Sequence, residues 1–138
     1  MTQQPFPPLP DSLDELLEYA FQYKELKQDD QALAAFRHIR QWFPDSDAAL
    51  MATIEIVTLL KDRGAYDEAI QVMGDAKTLS CVQKDPPLAE EIINTVAYLR
   101  IVKNVLLHRY HSLYPYRQIP TDARQEIDEQ FREWRALS

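Results

Sequence analysis

The chain has 138 residues, 46% of them hydrophobic, and a formal net charge of -7. It is long enough for one domain with a buried core, too apolar for global disorder, and too acidic for nucleic acid as a main partner, because phosphate binding needs a basic field. The single cysteine, Cys81, excludes an internal disulfide and suits a reducing compartment.

The presence of only two glycines argues for helices over strands, since a β-rich domain of this length needs more glycine-bearing turns. The opening residues MTQQPFPPLP lack a basic segment followed by an apolar run, so residues 1–11 read as a flexible Pro-rich arm and not as a signal peptide. No stretch has the roughly 18 uncharged apolar residues of a membrane span. The expectation is a cytoplasmic protein with one helical domain over residues 12–138.

Ser12 to Glu15 has the S-x-x-E form of a capping box and opens a helix over about 13–27. Leu16, Tyr19, Ala20, Tyr23 and Leu26 make its apolar stripe. Asp29 and Asp30 start a second helix over about 30–43, with Ala32, Leu33, Phe36, Ile39 and Phe43 inward and Pro44 as its stop. Asp45 and Asp47 offer N-caps to a third helix ending near Asp62, where Gly64 suits a left-handed C-terminal position. A fourth helix spans about 66–79.

Pro86 and Pro87 mark a boundary, and Pro87 suits the first turn of the longest helix, about 88–113. That helix is apolar on two sides. Leu88, Ile92, Val96, Leu99, Val102 and Leu106 form one stripe; Ile93, Ala97, Ile101 and Val105 form another. A helix with two apolar faces is covered twice, so it is either central in the bundle or meets another chain. The segment Tyr114 to Pro120 is a rigid turn, and a last helix over about 121–137 carries Ala123, Ile127, Phe131 and Trp134 on one face.

The chain repeats itself. Ala32 and Ala69 stand 37 residues apart, and each has a large apolar residue nine positions before it (Tyr23, Leu60) and four after it (Phe36, Met73). Leu16, Tyr19, Ala20 and Tyr23, then Ala32 and Phe36, then Pro44 follow W-x2-L-G-x2-Y, A-x3-F and P in register, so residues 13–83 resemble the tetratricopeptide (TPR) family. The second copy is clearest at RGAYDEAI, Arg63 to Ile70. It departs from the motif at Thr53, Ile56 and Val57 and has Cys81 where proline is expected. The resemblance implies an all-α, TPR-like antiparallel helix-pair stack of about six helices with a C-terminal capping helix.

It also implies a groove for a protein or peptide partner, lined by the first helix of each pair: Asp14, Leu17, Phe21 and Lys24 in one copy, Met51, Ile54, Thr58 and Lys61 in the next. Leu17, Phe21, Met51 and Ile54 do not supply the Lys/Asn/Arg clamp with which some family members hold a terminal carboxylate. An apolar groove suits a hydrophobic or helical segment, unless the chain's own last helices fill it. The resulting expectation is a non-enzymatic adaptor or dedicated small chaperone. The alternative is a self-associating subunit, with Ile93, Ala97, Ile101 and Val105 as the homodimer interface.

Residues that carry chemistry are few. His108 and His111 lack further metal ligands nearby in sequence and read as a solvated helix end. His38 lies on the outward side of its helix. The Asp29/Asp30 and Asp45/Asp47 pairs sit at helix starts, which accounts for them without acid–base catalysis. No phosphate-binding glycine loop or nucleophile motif occurs. The expectation is therefore no catalytic residue, no metal and no cofactor.

Overall fold

The computed structural model describes residues 8–137; most of the proposed Pro-rich arm, residues 1–7, lies outside them. Among the described residues there are seven α-helices and no strand: α1 (Leu13–Glu25), α2 (Asp29–Trp42), α3 (Asp47–Asp62), α4 (Tyr66–Asp75), α5 (Ser80–Gln83), α6 (Pro86–Tyr110) and α7 (Thr121–Leu137). Two single 3-10 turns, Ala76–Thr78 and Tyr116–Gln118, join them. No described helix is long and apolar enough to cross a membrane.

The helices pack mainly in chain order: α1 on α2, α2 on α3, α3 on α4, α4 on α6, and α6 on α7. The core follows the apolar stripes. Leu16 and Ala20 of α1, Ala32, Leu33, Phe36 and Ile39 of α2, and Ile56, Val57 and Leu60 of α3 are buried. So are Ala69 and Met73 of α4, Ile92, Leu99, Val102 and Leu106 of α6, and Ala123 and Ile127 of α7. Alanines at 20, 32 and 69 let neighbouring helices approach closely, and the large residues fill the space between pairs.

The 37-residue recurrence extends to the backbone. The amide of Lys27 donates to the Lys24 carbonyl and that of Gln28 to Tyr23; 37 residues on, Gly64 donates to Lys61 and Ala65 to Leu60. Ala32 donates to Gln28 as Ala69 does to Ala65, both at 3.1 Å. The two turns share a left-handed residue at the equivalent place, Lys27 with φ 60° and Gly64 with φ 77°. This is the helix-terminating geometry in which the 6→1 bond satisfies a carbonyl orphaned at the helix end.

Several expected boundaries change for that reason. α1 stops at Glu25, because Lys27 turns left-handed, and Leu26 is left exposed outside the apolar stripe. α6 stops at Tyr110, three residues early, because His111 is left-handed with φ 54°. The fourth helix ends at Asp75 and gives way to a 3-10 turn, and α5 is a single helical turn that the spacing did not predict. The cap of α3 is Ser46, whose hydroxyl turns back to donate to the Phe43 carbonyl at 2.7 Å, while Asp45 accepts from Ser80.

Other starts follow expectation: Ser12 Oγ accepts from the Glu15 amide at 3.2 Å, and Asp85 accepts from the Leu88 amide ahead of Pro86 and Pro87. Leu9 already rests against the core, so the chain is docked before α1 begins.

Candidate functional site

The residues expected to line one groove fall on two separate surfaces. Leu17 and Phe21 lie on a face of α1, in a recess bordered by Asp14, Glu18, Gln22 and Glu25. Phe21 is 37% exposed, yet its ring meets buried Phe36 edge-on at 5.2 Å, so it belongs in part to the α1–α2 packing. Lys24 is engaged within the chain: its ammonium pairs with Glu55 of α3 and lies 5.6 Å from the Phe21 ring.

Ile54, Thr58 and Lys61 line a different recess, between α3 and α6. Leu50, Val57, Met73, Leu88 and Ile92 complete its apolar lining, Glu91 and Thr95 stand on the α6 side, and its volume is about 390 Å³. Ile54 is 48% exposed there. The Thr58 hydroxyl is spent on its own helix, donating to the Ile54 carbonyl at 3.0 Å. Met51 is half-buried against the core and does not line this recess. α6 therefore forms a wall of the groove, and α7 packs on α6.

The segment after α6 reaches Lys61 at the edge of the groove. The Lys61 ammonium sits 4.2 Å from the centroid of the Tyr116 ring, a cation–π contact. Tyr116 and Tyr98 share a hydroxyl–hydroxyl hydrogen bond of 2.7 Å, and Arg124 donates to the carbonyls of Tyr116 and Ile119. The Tyr66 hydroxyl donates to the Tyr114 carbonyl at 2.7 Å. Burial pushes both the Tyr66 and the Tyr98 phenols well above the ordinary range, with the bond to Tyr116 adding to the shift of Tyr98, so both stay protonated at neutral pH. Tyr66→Phe leaves the Tyr114 carbonyl without its partner. It is expected to cost about 1–2 kcal/mol in urea unfolding without altering the helix content measured by circular dichroism.

The second stripe of the long helix is corrected in part. Val105, expected at an interface with a second copy, is buried in the core at 1% exposure. Ile93 is exposed, while Ala97 and Ile101 are half-buried in a recess bordered by Trp134 of α7. The helix drifts around its own axis, so its C-terminal part turns this stripe toward its neighbours while its N-terminal part leaves it open.

His108 and His111 are exposed, and His38 stacks on Trp42, which is itself 66% exposed, at 4.9 Å. Among the described residues no group of three or more His, Cys, Asp or Glu side chains is placed to hold a metal ion. Asp29 and Asp30 occupy the first turn of α2, and Asp30 pairs with Arg63. Sequence spacing leaves open whether the last helices enter the groove and misses the engagement of Lys24 and Lys61 within the chain, because contacts between distant segments leave no local periodic signal. Comparison of the chain with family models, with curated proteins and with solved structures gives no match.

Proposed function

We propose that the chain is a TPR-like, non-enzymatic protein-binding module, an adaptor or dedicated chaperone, that takes an apolar or helical segment of a protein partner between α3 and α6. The observation that carries this reading is the open apolar groove walled by Leu50, Ile54, Val57, Leu88 and Ile92, with Ile54 half-exposed inside it. Burying apolar side chains there supplies the driving force, and Glu91 and Thr95 at its side supply polar groups that fix orientation. The TPR-like reading draws support from the 37-residue recurrence of buried positions, turn hydrogen bonds and left-handed residues.

Ile54→Glu is the clean test. A carboxylate at this position is solvated in the free protein but unpaired once a partner's apolar side chains cover it, at a cost of a few kcal/mol. Affinity capture from the native source is expected to lose the partner by at least about tenfold relative to the unaltered chain, with helicity and melting unchanged. Retention of the same partner by a folded Ile54→Glu variant overturns the assignment. Phe21→Glu is the poorer probe, because the Phe21 ring also packs on Phe36.

A further inference from the structure

Two apolar surfaces outside the α3–α6 groove carry opposite charge. On α1, Leu17 and Phe21 are bordered by Asp14, Glu18 and Glu25, in a recess of about 610 Å³. On the last helix pair, Ile93, Ala97, Ile101 and Trp134 are bordered by Lys77 and Arg100, in a recess of about 310 Å³. Several other cations are matched within the chain: Arg63 with Asp30, Arg37 with Glu68, Lys103 with Asp67, and Arg109 with Asp122 and Glu126. None of the five charges on the two recesses forms an ion pair with another described residue.

The two surfaces also lie at opposite ends of the packing order. α1 packs chiefly on α2, with Lys24 reaching Glu55 of α3, and the cationic recess belongs to the far end, where α6 meets α7.

We infer that the occupant of the α1 face is a second copy of this chain, which presents its Lys77–Ile93–Arg100 face there in a head-to-tail contact. Three carboxylates then face two cations around apolar centres from both sides, which offsets part of the repulsion between two acidic chains. The contact is heterologous: each copy still offers its other face, so association continues past the dimer. It does not involve the α3–α6 groove, so the partner proposed for that groove stands or falls separately.

Sedimentation velocity of the full chain at low ionic strength tests this. The average mass is expected to rise with concentration without a plateau at twice the monomer, and to fall when salt is raised to about 0.5 M. Glu18→Arg alone and Arg100→Glu alone are each expected to weaken association at least about tenfold, through like-charge contact. Mixing the two single variants, or combining both changes in one chain, is expected to restore it, and that restoration also reports that the variants fold. A monomer at every concentration overturns the proposal, and so does a mass that levels at the dimer, indifference to both charge reversals, or failure of the mixture to associate. A monomer whose α1 face instead binds a synthetic Leu/Lys amphipathic helix, with binding lost in Glu18→Arg, assigns that face to a basic helical partner and overturns the second-copy reading.

Discussion

Phe36→Ala is expected to lower stability by about 3–5 kcal/mol, the range for removing a large aromatic from a core that relaxes only partly. Phe36 is fully buried at the middle of α2, the helix that packs on both α1 and α3. Its ring takes the edge-on contact of Phe21. Urea unfolding followed by circular dichroism measures the loss, and the midpoint of thermal unfolding is expected to fall by roughly 10 °C. Phe36→Leu keeps much of the volume and is expected to cost less than half as much. A loss under about 1 kcal/mol for the alanine variant means that α1 and α3 do not close on this side chain, and the packing described for the first helix pair is then wrong.

The two left-handed turns make a second prediction, in which one position of the repeat responds with opposite sign in its two copies. Gly64→Ala is expected to destabilise by about 1.5–3 kcal/mol. Its φ of 77° strains any L side chain, and a Cβ would lie 3.3 Å from the Leu113 oxygen and 3.4 Å from the Tyr114 carbonyl carbon, backbone atoms that cannot swing aside. Lys27 holds the same conformation on an exposed turn, so Lys27→Gly relieves strain without opening a cavity. It is expected to stabilise by about 0.5–1 kcal/mol. Equilibrium unfolding of both variants reads both signs. Equal and small effects would mean that the two turns are not equivalent in the folded chain.

The contrast between these turns shows what the sequence makes legible. A glycine after a helix announces a left-handed stop, and Gly64 was expected to do so. A lysine or a histidine does not, so Lys27 and His111 went unseen and both helix ends were placed too late. Buried stripes were legible because they recur at helical spacing; Leu16, Ala20, Ala32, Phe36 and Ile39 all lie where their register put them. The recess between α3 and α6 was half legible. Ile54, Thr58 and Lys61 follow from the repeat register, but Leu88, Ile92 and Thr95 come from a helix whose place beside α3 is set by packing across some 40 residues of chain. The repeat register points Lys24 and Lys61 at a ligand, and both are engaged by their own chain, one by Glu55 and the other by the Tyr116 ring. Charge and exposure can be expected from spacing; a partner that arrives from far along the chain cannot.

The segment from Tyr114 to Gln118 has a consequence for how the molecule comes apart. Most contacts join helices adjacent in the chain, so the loops closed on folding are short and carry little entropy. The contacts of Tyr66 with Tyr114 and of Lys61 with Tyr116 are exceptions, for they stitch the second helix pair to the chain that leads into α7. Opening α7 therefore disturbs α3 and α4 as well, and these elements behave as one cooperative unit. The first pair is joined to the second by the packing of α2 on α3, by the part-buried pair of Lys24 with Glu55, by the bond that Arg40 donates to the Val72 carbonyl, and by the exposed pair of Asp30 with Arg63. Of these α1 holds only Lys24 with Glu55, so partial opening of the native state is expected to begin with α1.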